Sequence, residues 1–160
     1  EWNLIIRELM AVMLALHVVG VVSWIGGLSF ACVELASGVR LARTFGRLLL
    51  WQRAFARLLH WSWGGMVLVA ATGLLMVSLE FGGSAVLPVY VRAMMVSAIV
   101  TMAAFAWLYF MPWRLLNKAI RSSDLMTAEK RLGQVRLLVV VTTLLGLATA
   151  MIGAGGPYLG

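Results

Sequence analysis

The stretch Leu9–Val33, LMAVMLALHVVGVVSWIGGLSFACV, runs for 25 residues without a charged side chain. A helix needs about 20 apolar residues to cross the hydrocarbon core of a bilayer, so this run predicts a membrane span. His17 lies inside it. Imidazole is costly at that depth and calls for a partner: a neighbouring helix, a metal or a haem. Met10, Met13, His17, Gly20, Trp24, Gly27 and Ala31 recur at alternating steps of three and four, which places them on one helical face. Two thioethers, an imidazole and two glycines on one face suit a ligand site, and they suit close helix packing equally.

Three further uncharged runs follow: Leu58 to Leu79, Ala93 to Trp113 and Leu137 to Gly160. Composition agrees, with 62% hydrophobic and 12% charged residues and a mean hydropathy of +0.97. The expected fold is all-α, an antiparallel four-helix transmembrane bundle forming one domain over residues 1–160. Its spans fall at about 9–33, 58–79, 93–113 and 137–157. The first run is too long, and too well followed by others, to read as a secretory signal.

Charge sets the expected orientation. Arg40, Arg43, Arg47, Arg53 and Arg57 lie in the connector 34–57, and Arg114, Lys118, Arg121, Lys130, Arg131 and Arg136 in the connector 114–136. Only Arg7 and Arg92 remain for the other side. Basic loops stay cytoplasmic, so both termini are expected outside a bacterial-type inner membrane. The net charge of +7 is then a topology signal that also meets anionic lipid, and no nucleic-acid partner is expected.

The connectors carry weaker signals. Between Val39 and Arg57 the arginines share one arc opposite Leu41, Phe45, Leu48, Leu49 and Phe55, as in an interfacial helix or an inward extension of the second span. Gly82, Gly83 and Pro88 mark a turn, and Ser122, Ser123 and Asp124 break the last loop, with Thr127 expected to cap the fourth helix. Trp61, Trp63, Tyr109 and Trp113 fall near span ends and read as an aromatic belt.

Absences narrow the chemistry. The runs contain no Asp, Glu, Lys or Arg, which leaves no carboxylate proton relay. Cys32 is the only cysteine, so this chain alone offers no thiolate metal site or iron–sulfur cluster. Two histidines and ten methionines remain. His17 and His60 are expected ~19 Å apart along the bilayer normal, too far to share one iron. His60, beside Arg57 and Trp61, reads as an interfacial residue. Met13, Met76, Met94 and Met95 share a depth outward of His17. Thioethers with imidazole select Cu(I), one of them could ligate haem opposite His17, and methionine also fills gaps in apolar cores. Gly20 and Gly27, with Gly73 and Gly146, would let a flat macrocycle approach the backbone or let helices pack closely. Arg92, alone at the mouth of the third run, could meet a haem propionate or act as an interfacial anchor.

The segment Leu16-His17-Val18-Val19-Gly20-Val21-Val22-Ser23-Trp24-Ile25-Gly26-Gly27-Leu28 resembles the CopD-like superfamily. Members share a first-span histidine followed seven residues later by Trp-Ile/Val-Gly-Gly. The group includes copper-resistance D membrane domains and HemJ-type protoporphyrinogen oxidases, and the likeness extends loosely over the whole chain as four spans with basic loops after the first and third. It implies haem binding at His17. HemJ-like members also carry a His-x-Lys pair entering the third span, where this chain has Tyr90-Val91-Arg92, so enzymatic activity does not carry over on matching residues. Copper-resistance D proteins are usually longer.

Three functional expectations follow. The first is a haem-b-binding, cytochrome-b-like electron-transport subunit, with His17 as axial ligand, Gly20 and Gly27 beside the ring and Arg92 at a propionate. The second is a copper-handling protein that uses His17, Met13, Met94 and Met95, with Met10, for Cu(I). The third is a cofactor-free accessory subunit with His17 hydrogen-bonded to a neighbouring helix. With no extramembrane domain expected, each implies other membrane subunits or a homo-oligomer as well as the lipid bilayer.

Overall fold

The computed structural model describes residues 2–38, 45–82 and 87–158, and among them there is helix and no strand. Helix α1 (Trp2–Val21), a π-turn (Val22–Gly26) and α2 (Gly27–Gly38) form one rod. The second rod is α3 (Phe45–Phe81). The third joins α4 (Val89–Leu108), a second π-turn (Tyr109–Trp113) and α5 (Arg114–Arg121). The fourth is α6 (Leu125–Gly155), closed by a 3₁₀ turn at Gly156–Tyr158. Within these rods Leu4–Val33, Gln52–Phe81, Val89–Arg121 and Leu125–Gly155 are long and apolar enough to span a bilayer. The chain is an all-α, multi-pass membrane protein.

The rods outrun the uncharged sequence. Arg53 and Arg57 lie on α3, and Arg114, Lys118 and Arg121 lie on the last turns of the third rod. The arginine-rich connector is thus partly an extension of the second span, while positions 39–44 lie outside the described residues. Charge does not end a helix whose hydrogen bonds are internal. It only marks where the helix leaves the hydrocarbon. Trp113, next to Arg114 at that level, is not exposed as a belt residue would be: it is buried against Phe55, with ring centroids 5.1 Å apart. Trp63 and Tyr109 also join the aromatic interior, which leaves Trp61 as the one exposed member of the expected belt.

Asp124, not Thr127, caps α6. Its carboxylate accepts the Thr127 backbone N–H at 3.0 Å, which satisfies one of the donors a helix start leaves free. Ser123 reaches a φ of 57° to make the tight turn before it. Bonds from the Thr127 hydroxyl and then its N–H hold the exposed Asp124 carboxyl below the usual carboxylate range.

Packing is uneven along the bundle axis. α1 pairs with α3 and α4 pairs with α6, while the two pairs join where α2 and the first π-turn meet α6. Phe105, Leu108, Leu28, Leu59, Leu116 and Val135 are fully enclosed there. Trp24 and Trp63 both meet Phe105 edge-on, at 6.0 and 5.5 Å between centroids. Such pairs add about 0.5–1.5 kcal/mol each beyond burial. The half of the bundle bearing both chain termini differs. No residue of Leu4–Val19, none beyond Thr72 on α3, and none of Leu147–Gly155 is buried. In that half Val91 and Gly156 are the buried residues among those described.

Candidate functional site: a tautomer-locked histidine at the edge of the core

His17 lies where the core gives way to the open half, and it is half-buried. Its Nδ1 is 2.9 Å from Thr72 Oγ1 on α3. The threonine hydroxyl has one proton and gives it to the Leu68 carbonyl at 2.7 Å. Thr72 Oγ1 therefore accepts from His17, which places the imidazole proton on Nδ1. With that tautomer the lone pair is on Nε2, and the ring also has a hydrogen bond to the Val69 backbone. Gly73 makes room for the ring: a Cβ there would stand 3.2 Å from His17 Cε1.

The glycines of the His17 face serve the helix pair. A Cβ on Gly20 would meet Val69 Cγ2 at 2.9 Å and the Gly65 carbonyl at 3.2 Å. One on Gly65 would meet the Trp24 backbone nitrogen at 2.9 Å. Gly27 faces Ser62 Oγ at 3.3 Å and Leu58. The open sides of Gly20 and Gly27 are thus filled by the second span, and the space expected there for a macrocycle is taken by α3. Lipid offers no hydrophobic drive for helix association, so such close backbone approach is a main source of cohesion. Gly146 likewise receives Ile25.

These contacts fix the register. His17 lies across from Gly73, Gly20 from Val69 and Trp24 from Gly65, so Met13 falls across from Met76, one turn outward. Trp24 meets Phe105 on the parallel third rod, which brings Met94 to the Met13 level. Met13, Met76, Met94 and Met95 are each half-buried at that level. Met94 also has a packing role, since its sulfur lies 2.8 Å from where a Gly153 Cβ would be. Arg92 is exposed on the first turn of α4, six residues or roughly 9 Å outward of that same level scale at His17.

His60 is a separate feature. It lies twelve residues from Thr72 along α3, about 18 Å from the His17 level. It is exposed, with Nδ1 2.7 Å from the Ala56 carbonyl and its ring edge-on to Tyr109. The two imidazoles do not meet. Among the described residues no group of three or more His, Cys, Asp or Glu is assembled.

Sequence reasoning missed Thr72 as the partner of His17. A threonine in an apolar run is common, and its importance appears only when the helix register is known. Its position follows only from the register in which Gly20 meets Val69 and Trp24 meets Gly65, which brings position 17 beside positions 72 and 73. Tyr90 packs on Gly156 and Val91 is buried. No family model matches this chain, and neither a curated protein nor a solved structure matches it.

Proposed function

We propose that this chain is a haem-b-binding subunit of a membrane redox system, with His17 Nε2 as the axial ligand. The observation that carries the reading is the contact of His17 Nδ1 with Thr72 Oγ1. Metal-bound histidines almost always donate their other ring N–H to an oxygen acceptor, which fixes both tautomer and ring plane. Thr72 is such an acceptor, and the Leu68 carbonyl holds it in that role. A hydrogen bond to a neighbouring helix is also what a cofactor-free packing histidine would make. An imidazole held at Nδ1 and placed where the enclosed core ends favours the ligand reading.

The residues present fit the group in part. His17 offers the nitrogen and Gly73 gives the imidazole a flat seat, at the depth where the enclosed core ends. Gly20 and Gly27 are not part of the seat. Arg92, at a different depth, is suited to a propionate at the membrane surface. A bound haem supplies one-electron redox chemistry, whereas the protein residues fix its ligand, exclude water and set its surroundings. The resemblance to the CopD-like superfamily around His17 supports the same reading. We place the protein in a bacterial-type inner membrane with both termini outside, on the strength of the basic connectors.

Haemin titration of the detergent-solubilised protein tests this. His60→Ala should bind like the parent and His17→Ala should lose saturable binding while keeping its helical circular dichroism. Equal binding by the parent and His17→Ala would remove the proposal.

A second reading has its own observation, the layer of four thioethers one turn outward of His17. Methionine sulfur and imidazole together favour Cu(I). On that reading a Met13/Met94/Met95 triple variant loses Cu(I) in competition with a chelator. Unchanged retention of Cu(I) would exclude those sulfurs as ligands.

A further inference from the structure

Five hydroxyl side chains are buried among the described residues of the spans: Ser62, Thr72, Thr101, Thr142 and Thr143. In a membrane helix such a group ordinarily satisfies itself by donating to the carbonyl one turn back. Thr72, Thr101 and Thr143 do so, onto Leu68, Ser97 and Val139 at 2.7–2.8 Å. Ser62 and Thr142 do not, although both are completely enclosed. Two indole nitrogens, Trp24 Nε1 and Trp63 Nε1, are also buried with no partner among the described residues.

The residues bearing these four atoms lie within about five residues, or roughly 8 Å, of one another along the axis. Trp24 and Trp63 flank the same ring, Phe105. Ser62 neighbours Trp63 in sequence and lies across from Gly27, three residues or roughly 5 Å from Trp24 along the axis. Thr142 enters from α6 one turn from Gly146, which receives Ile25, the residue after Trp24. The layer coincides with the π-turn Val22–Gly26, and single π-turns occur often at functional sites.

We propose that this layer is a hydration site in the membrane interior, holding water against Trp24, Trp63, Ser62 and Thr142. The chemistry of the four groups selects the guest. Indole N–H only donates, so whatever is bound must accept two hydrogen bonds. The hydroxyls can donate or accept, so a guest that does both can satisfy all four groups. Water does both, and a buried water characteristically makes two to four such bonds. A purely apolar guest, such as a lipid chain, would leave all four groups unpaired, each a costly defect in hydrocarbon. The site is separate from His17, since Trp24 lies seven residues, or roughly 10 Å, deeper along the first rod. Its polar neighbours continue toward the basic half, where Thr143 Oγ1 and Cys32 Sγ are 3.5 Å apart.

X-ray radiolysis of the detergent-solubilised full chain, read by mass spectrometry, tests the site. Hydroxyl radicals formed from bound water label the side chains that hold it, and indoles label readily. The expected result is oxidation of Trp24 and Trp63 at rates comparable with exposed Trp61, persisting when a bulk scavenger suppresses Trp61. The isosteric pair Ser62→Ala and Thr142→Val should slow labelling of Trp24 and Trp63 several-fold and leave Trp61 unchanged. Three results would overturn the proposal: protected indoles in the parent protein, labelling abolished by the bulk scavenger, or labelling unaffected by the paired variant. The parent measurements decide the matter even if the variant fails to fold.

Discussion

Two hydrogen bonds in series, Nδ1–H to Thr72 and Thr72 to Leu68, define what His17 can do. Removing the first acceptor should free the imidazole to change tautomer and tilt. Thr72→Val is expected to weaken haem binding by about 10- to 100-fold, the usual cost of losing the group behind a metal-bound histidine. Thr72→Ser keeps the hydroxyl and should restore most of the affinity, which separates positioning from simple packing. Parallel haemin titrations of both variants check this, and equal loss in the two would assign Thr72 to packing alone. At the other end of the molecule, Asp124 carries a pH-dependent contribution. Its carboxyl is held below its usual value by Thr127. Its stabilisation is therefore complete above the unfolded carboxylate value of about 3.9 and is lost as pH falls through the lower folded value. Asp124→Asn should flatten this acid limb of the thermal-stability profile, and an unchanged limb would show that other carboxylates control it.

Each element reflects how much of its structure is written locally. The four spans were legible because an uncharged run of 20 or more residues has few alternatives in lipid or water. Their ends were not, since charged turns prolong a helix at no cost to its internal hydrogen bonds, as Arg53, Arg57 and Lys118 do here. His17 stood out by its chemistry, and its distance from His60 followed from simple rise per residue. The roles of Gly20 and Gly27 were open in the sequence because a ring and a neighbouring helix both need a missing side chain. The π-turns had no local mark except Pro112, which lacks the N–H that an unbroken helix would use. The glycines now give a graded prediction. Gly65→Ala drives a Cβ into the Trp24 and Gly20 backbones, at 2.9 and 3.0 Å, and neither can swing aside. It should cost about 1–3 kcal/mol, only partly offset by alanine's better helix propensity. Gly146→Ala meets chiefly the end of the flexible Ile25 side chain, and its melting temperature should stay closer to that of the parent. Thermal unfolding in detergent ranks the two, and the reverse order would contradict the packing described.

The molecule as a whole is a bundle closed at its basic half and open at the half that carries its termini. This asymmetry, together with an imidazole held at Nδ1, motivates a guest or a partner subunit beside His17. Orientation is testable independently. With Cys32 replaced, a cysteine at Gly82 should react with an impermeant maleimide added outside intact cells, and one at Ser123 only after permeabilisation; the opposite pattern would invert the topology. The most direct test of the central claim is a dithionite-reduced minus oxidised absorbance spectrum of the haem-loaded protein and its His17→Ala variant in mild detergent. The account predicts a sharp α-band of the b-type in the parent and its loss in the variant at unchanged helix content. The absence of that band from a haem-loaded parent, or the same band in both proteins, would contradict it.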